Sequence, residues 1–229
     1  MKLKSKLKFG CLWTLSVTLV GPVAWADTPA FTSGGSVATQ PPSFTGTKGW
    51  AFLNYSLINY MAVTQLGVFD YGGDGLVNSH AVGIWAANGT LLASTTIPAG
   101  TIAPLVDGYR YMPITPVLIP PGAFPIRSPF TALVAAAYAA GDADDQVTPY
   151  LGGYVSPVFV SSYDGSPSNG FYGLGTGLPF PGQHFGAPEG EYAPALLEVN
   201  FQFQVVPEPA VPLLLAPGLL YLFLRHRKI

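Results

Sequence analysis

The most constraining feature of this chain is a segment near its end, residues 197–205, in which apolar and polar side chains alternate strictly. The apolar positions are Leu197, Val199, Phe201, Phe203 and Val205, and the polar positions are Glu198, Asn200, Gln202 and Gln204. A period of two places side chains of one kind on the same face of a β-strand. The segment therefore predicts a strand with one buried face and one solvated face.

Further short segments suited to strands occur through the middle of the chain. The candidates are residues 51–57, 63–69, 81–85, 90–97, 109–114, 131–138 and 154–162. Asn88-Gly89 predicts a type I′ hairpin turn between two of them, because that turn needs positive φ at both central residues. The chain has 27 glycines and 23 prolines, which limit helices to short pieces. These patterns predict an all-β fold, a single antiparallel β-sandwich of jelly-roll character.

Three regions fit this pattern less clearly. Residues 131–140 contain six alanines and are compatible with a helix, but Pro129 and the neighbouring apolar residues favour a strand. Residues 27–48 are rich in Thr, Ser, Gly and Pro, and they predict an irregular leader of which part pairs as an edge strand. Residues 163–194 combine glycine, proline and aromatic residues and predict a long surface loop. The predicted sandwich domain is accordingly 49–205.

The first 26 residues have the pattern of a signal peptide. Four lysines precede an apolar stretch, residues 9–20, and Ala24-Trp25-Ala26 fits the small-x-small rule for signal peptidase. Ala24 and Ala26 are therefore the predicted recognition residues, and Asp27 is the predicted first residue of the exported protein. The alternative is an uncleaved anchor, which the short apolar run and Gly21-Pro22 disfavour.

The last 24 residues, 206–229, have the pattern of a stop-transfer signal. An apolar segment, residues 210–224, precedes a basic stub, residues 225–229, in which the cations are Arg225, Arg227 and Lys228. Moving these cations across a bilayer is costly, so the stub stays cytoplasmic. As a helix the apolar segment is about 22 Å long, against about 30 Å of hydrocarbon. This length predicts a transient stop; a plain membrane anchor is the alternative.

Pro207, Glu208 and Pro209 stand immediately before that apolar segment. This order of motif, apolar segment and basic stub resembles the PEP-CTERM sorting tail of exported proteins in Gram-negative bacteria. The resemblance implies recognition near Pro207–Pro209 by exosortase, a membrane-embedded protease-transferase. It also implies an intermediate bound to the inner membrane and final delivery to the cell surface or an exopolysaccharide matrix.

A second resemblance covers roughly residues 50–162. It rests on four segments: Val63 to Leu76, Ser79 to Trp85, Asn88 to Ser94 and Gly108 to Ile119. Together they look like a recurrent exported β-sandwich module that often accompanies PEP-CTERM tails. That module has no assigned enzymatic activity, so the resemblance carries over no catalytic residue. An Asp commonly follows the His of the module, whereas Ala81 follows His80 here.

The charge balance of the exported region argues against nucleic-acid binding. Between Asp27 and Val206 the sequence has three cations, Lys48, Arg110 and Arg127, and eleven acidic residues, so the net charge is 3 − 11 = −8. Nucleic-acid affinity is dominated by phosphate contacts with cations. We therefore expect no nucleic-acid partner.

Two groups of aspartates are candidates for calcium binding. One comprises Asp70 and Asp74, and the other comprises Asp142, Asp144 and Asp145. Calcium takes six to eight oxygen ligands, and it would relieve the repulsion between neighbouring carboxylates. Neither group matches a known calcium motif, so solvated turns are the favoured interpretation and no cofactor is predicted.

The residue types for catalysis are present but not in a recognisable arrangement. His80, Asp74 and a serine could form a triad, yet no serine lies in a nucleophile elbow. We therefore predict a non-enzymatic surface or matrix protein. The alternatives are an exopolysaccharide-binding module that uses exposed aromatic residues and, less favoured, a secreted hydrolase. The aromatic residues considered are Trp50, Trp85, Tyr109, Tyr111, Tyr150, Tyr154, Tyr163, Phe171 and Tyr172, most of which are expected in the core.

Overall fold

The protein is built from β-strands throughout the part that the computed structural model describes, residues 26–39, 45–56, 58–122, 131–145, 147–156, 158–159, 170–184 and 197–207. One short 3-10 helix, Ala143–Asp145, is the exception within these ranges. The strands are β1 (Thr28–Pro29), β2 (Phe31–Thr39), β3 (Gly46–Asn54), β4 (Tyr60–Phe69), β5 (His80–Ala86), β6 (Leu91–Ile97), β7 (Leu105–Val106), β8 (Tyr109–Ile119), β9 (Ala132–Tyr138), β10 (Val147–Tyr154), β11 (Val158–Phe159), β12 (Phe171–Leu174), β13 (Gln183–His184) and β14 (Val199–Val206). The predicted all-β class is confirmed for this part of the chain.

The strands form three antiparallel sheets. The first has the order β1-β14-β4-β8-β7, and the second has the order β13-β12-β3-β9-β5-β6, with β11 also paired with β3. β2 and β10 form a separate two-stranded sheet. The segment 131–140, for which a helix was the alternative, contains β9, which pairs with β3 on one side and β5 on the other. The close approach of β3 to β9 requires glycine at position 49, because a Cβ there would lie 2.5 Å from the Cα of Ala135.

A cluster of buried aromatic rings joins the two larger sheets. Trp50 of β3 lies nearly parallel to Phe201 of β14, with 5.6 Å between ring centres. The indole N–H of Trp50 also donates a hydrogen bond of 2.6 Å to the carbonyl oxygen of Val199. On the other side of the cluster, Phe31 contacts the rings of Trp50 and Tyr109 edge-on. Burial of Trp50 and Tyr109, predicted from the sequence, is confirmed.

The segment predicted as an irregular leader is largely ordered into strands. β1 is the expected edge strand, paired with β14, but β2 and the first residues of β3 also lie within 27–48. Phe31 is completely buried in the aromatic cluster. The prediction of an irregular leader was wrong here because one large apolar side chain, among small polar ones, is enough to fix the segment to the core.

Contacts with Phe31 and with β4 explain why β14 lacks the solvated face predicted for it. The polar residues Glu198, Asn200 and Gln202 are buried. The side-chain amide of Asn200 donates to the carbonyl oxygen of Phe31, and the side-chain oxygen of Gln202 accepts from Gln65. Asn200 and Gln202 of β14 therefore form hydrogen bonds inside the protein, as most buried polar groups do.

The hairpin predicted at Asn88-Gly89 is present between β5 and β6, but its turn is of another type. Gly89 has a φ of 87°, and its N–H donates to the carbonyl oxygen of Ala86. Asn88 is not among the described residues with positive φ, which a type I′ turn would require. The loop therefore has three residues, ending in a left-handed glycine, as in a type I turn with a G1 bulge.

The structure differs from two further predictions, for residues 154–162 and for residues 163–194. The strand expected at 154–162 is replaced by β10, which ends at Tyr154, and by the short β11. The surface loop expected at 163–194 contains β12 and β13, and β12 extends the second sheet by pairing with β3. Residues 160–169 and 185–196 lie outside the described ranges.

Replacing Tyr109 with Phe tests the hydrogen bonding of the aromatic cluster. The Tyr109 hydroxyl donates 2.6 Å to the buried carbonyl oxygen of Leu197. We expect Tyr109→Phe to lower the free energy of unfolding by about 1–3 kcal/mol in urea titrations, because a buried acceptor loses its donor. Tyr71→Phe is the matched control, since Tyr71 is exposed, and it should change stability by less than about 0.5 kcal/mol. Equal stability of both variants and wild type would contradict this assignment.

Candidate functional site

A buried ion pair follows strand β4. Asp70 is the residue after β4, and its Oδ2 lies 2.6 Å from Nε of Arg110 in β8. The same carboxylate accepts hydrogen bonds from the backbone N–H of Gly75. The Arg110 guanidinium also donates to the carbonyl oxygens of Thr101, Ala103 and Gly73. Arg110 and Asp70 thereby fix the turn formed by residues 71–75.

This ion pair involves Asp70, which together with Asp74 formed the first group of candidate calcium ligands. Asp70 already has a cationic partner in Arg110, whose positive charge neutralises it. Asp74 lies exposed in the turn. The geometry therefore favours a structural role for Asp70 in holding the turn.

A second cluster unites His80 with Asp142 and Asp144. One ligand atom from each of the three residues lies within 4.8 Å of the others. Nε2 of His80 is 2.9 Å from Oδ2 of Asp144, while the backbone N–H groups of Val77 and Asn78 also donate to Asp144. The side chain of Asp145 lies outside the described ranges. The sequence had grouped the aspartates, but it had not placed His80 among them.

The hydrogen bonds fix the charge of His80. Nδ1 lies 3.1 Å from the carbonyl oxygen of Ala137, and Nε2 faces the Asp144 carboxylate. Both partners only accept hydrogen bonds, so both ring nitrogens must carry a proton. Burial opposes the charged ring, but the bonds to Asp144 and Ala137 and the charges of both aspartates raise the pKa of His80. Burial likewise opposes ionisation of Asp144, but the bonds from His80, Val77 and Asn78 lower its pKa.

The imidazolium of His80 thus supplies positive charge to the carboxylates that were considered as candidate calcium ligands. Asp142 Oδ1 is in turn hydrogen-bonded by the Asn78 side chain and by the backbone N–H of Asp144. With both ring nitrogens bonded inside the protein, His80 is not positioned to accept a proton from a serine. Its partner is Asp144, not the Asp74 of the triad considered from the sequence.

An open cleft of about 310 Å³ lies beside the turn that Arg110 holds. One wall is formed by Ser33, Gly35 and Val37 of β2, and the other by residues 69–73 and Leu105. We call it the Tyr71 cleft, because the side chain of Tyr71 at its rim is 61% exposed. β2 forms one wall of the cleft, and β2 was not predicted from the sequence. The cleft was therefore not predicted either.

The two walls are joined by the turn that precedes β8. The backbone N–H of Ser33 donates 2.7 Å to the Asp107 carboxylate, and the N–H of Asp70 donates to the carbonyl oxygen of Gly108. Asp107 and Gly108 both have positive φ, at 50° and 81°. The Tyr71 cleft is therefore bounded by hydrogen-bonded backbone on both sides.

The processing residues predicted from the sequence are described only in part. Ala26 lies two residues before the start of β1, and Pro207 is the exposed residue after β14. Ala24, Glu208, Pro209, Arg225, Arg227 and Lys228 lie outside the described residues, as does the apolar segment 210–224. Within the ranges that are described, no helix has the length and apolar character needed to cross a membrane.

No family model matches the chain, and comparisons with curated proteins and with solved structures gave no match.

The His80–Asp144 pair predicts an upper and a lower pH limit on stability. Because the pKa of His80 is raised by folding, its contribution is full below its ordinary value of 6.5 and is lost as pH rises through the raised pKa. Because the pKa of Asp144 is lowered, its contribution is full above 3.8 and is lost as pH falls through the lowered value. We expect His80→Gln to flatten the upper limb of the stability profile in urea titrations between about pH 5.5 and 8.5.

His184→Gln is the control for that experiment, since it removes the other histidine of the exported region. If His184→Gln flattens the upper limb and His80→Gln leaves it unchanged, the charge assigned to His80 is wrong.

Calcium should leave the stability of residues 27–206 unchanged, because both groups of carboxylates already have a cationic partner, Arg110 or His80. We expect superimposable melting curves for residues 27–206 in millimolar calcium and in chelator. Binding at a hundredfold excess over Kd would instead stabilise the fold by about 2.7 kcal/mol and raise Tm by roughly 5–10 °C. A shift of that size would restore Asp70, Asp74 or the Asp142–Asp145 group as calcium ligands.

Proposed function

We propose that the protein is an exported, non-enzymatic component of the cell surface or extracellular matrix of a Gram-negative bacterium, sorted by exosortase. The observation that carries this proposal is the order of Pro207-Glu208-Pro209, an apolar segment and a basic stub directly after the last strand. β14 ends at Val206, so scission close to the motif would leave the whole strand in the released domain. In this proposal the domain is a single jelly-roll-like sandwich that includes β1 and β2.

The position of Asp27 supports signal-peptidase cleavage after Ala26. The Asp27 carboxylate accepts hydrogen bonds from the side chains of Thr64, Gln65 and Gln204. Burial opposes its ionisation, but these bonds lower its pKa. A cut after Ala26 would retain this carboxylate as the first side chain of the folded domain.

The pairing of β1 with β14 supports attachment of both chain ends to one membrane. Thr28 is paired with Phe203, which places Asp27 beside Gln204, three residues before Pro207. The two proposed processing points therefore lie on neighbouring strands of one sheet. A precursor that still carries both signals could be held at a single membrane surface without opening the sheet.

Replacing Glu208 with Ala tests the sorting step. We expect an unprocessed precursor in the inner membrane, because the proposed recognition motif loses its charged residue while the strands remain unchanged. The measurement is cell fractionation with mass spectrometry of both chain ends, and Glu191→Ala is the control, an acidic residue outside the tail. Surface protein of the wild type should begin at Asp27 and lack residues 225–229. If that protein retains Arg225 to Ile229, the tail is a plain anchor.

Retention of polysaccharide is a second candidate function, and the Tyr71 cleft is the observation that favours it. The clearest form of such a site is a coplanar pair of exposed rings. The two described rings at this cleft do not form one, because Phe69 is buried and its ring is tilted by 40° from that of Tyr71. The Tyr71 cleft instead has a single exposed ring at its rim, that of Tyr71. Under this second proposal the domain would hold exopolysaccharide after sorting has delivered it to the matrix.

A further inference from the structure

We propose that the Tyr71 cleft binds an uncharged sugar unit of a neutral polysaccharide, with the Tyr71 ring as the surface on which the sugar stacks. This inference rests on the second candidate function, polysaccharide retention, and goes further by naming the site and the class of sugar. It does not depend on the sorting tail.

The first argument is the position of Tyr71. Its side chain is 61% exposed, yet the turn that carries it is held by buried interactions. The Arg110 guanidinium donates to the carbonyl oxygen of Gly73, and the N–H of Gly73 donates to that of Asp70. The Phe69 ring lies behind Tyr71, with 6.5 Å between ring centres. An exposed ring on a fixed turn can contact a ligand with little loss of conformational entropy.

The second argument is the mixed chemistry of the walls. Glycine backbone lines both sides of the cleft, at Gly35 on β2 and at Gly72 on the turn. A Cβ at Gly35 would meet nothing within 4 Å, so the backbone there borders open space. Val37 and Leu105 add apolar surface. Apolar walls with a few polar backbone groups suit a sugar ring, which has apolar C–H faces and hydroxyl edges.

The third argument is charge. Asp70 is the one carboxylate among the described lining residues, and Arg110 neutralises it. The exposed carboxylate of Asp107, which accepts from the N–H of Ser33, lies beside the cleft, and the described lining residues include no cation that could pair with an acidic sugar. The region 27–206 also carries a net charge of −8 from three cations and eleven acids, which repels an anionic polymer. Charge therefore favours a neutral sugar over an acidic one.

The fourth argument is size. A volume of about 310 Å³ is at the small end of the range for small-molecule sites. The cleft is thus suited to a short saccharide or to the end of a chain. Stacking on one ring in a small cleft predicts weak binding to a single site, strengthened where many copies of the protein meet one polymer.

The experiment measures binding of the full chain, purified in mild detergent, to three soluble polysaccharides by affinity electrophoresis. Dextran and a soluble β-glucan are the neutral probes, and alginate is the acidic one. Tyr71→Ala removes the stacking ring, and Leu105→Trp fills the cleft from a position that is 43% exposed. Tyr55→Ala is the matched control, a tyrosine 57% exposed that precedes the opposite end of β4. Melting temperatures check that each variant folds.

We expect binding to a neutral polysaccharide that Tyr71→Ala weakens by at least about threefold, that Leu105→Trp weakens similarly, and that Tyr55→Ala preserves. Neutral binding that is equal in all variants would overturn the cleft assignment and leave polysaccharide retention standing. Binding to alginate alone would overturn the choice of a neutral sugar. Binding to none of the three would overturn the inference together with the second candidate function, while the sorting proposal is tested separately by the Glu208→Ala fractionation.

Discussion

The fold depends on the packing of Phe31 against the rings that join the two larger sheets. Phe31 is completely buried, and its ring centre lies 5.4 Å from that of Trp50 and 5.6 Å from that of Tyr109. Trp50 in turn packs on Phe201 and donates a hydrogen bond to β14. Phe31 begins β2, which forms one wall of the Tyr71 cleft and is fixed to the opposite wall through Ser33 and Asp107. The buried ring of Phe31 thus links the core to the candidate site.

The described lysine and arginine of residues 27–206 are buried inside the protein. Lys48 and Arg110 are 3% and 4% exposed, and Arg127 lies outside the described residues. Arg110 neutralises Asp70, and Lys48 lies over the Tyr138 ring, 5.6 Å from its centre. His80 is also buried, and it pairs with Asp144. An acidic region whose described cations are buried presents mainly negative charge to solvent, and this supports a neutral ligand in preference to an acidic polymer.

Local sequence patterns predicted many of the strands, but not β2, β12 or β13, and they did not predict the contacts between strands. Alternation identified β14, and Asn88-Gly89 identified the β5–β6 hairpin. The role of Phe31 was not predictable, because a single aromatic residue among small polar ones has no periodicity to reveal burial. The His80–Asp144 pair was missed for a related reason: it requires β5 to lie beside β9, and His80 to lie close to the residues that follow β9. The Tyr71 cleft was not predictable from the sequence, because its walls come from β2 and from turns that are distant from β2 along the chain.

Hydrogen exchange of the backbone amides around β1 and β2 tests most directly whether residues 28–39 belong to the core. The N–H of Ala30 donates to the carbonyl oxygen of Phe201, and the N–H of Val155 donates to that of Ala30. If β1 and β2 are held by the burial of Phe31, these amides should exchange only on global unfolding, with the same protection as the amides of β4. Exchange of Ala30 at the rate of an unstructured peptide, while β4 remains protected, would contradict the account.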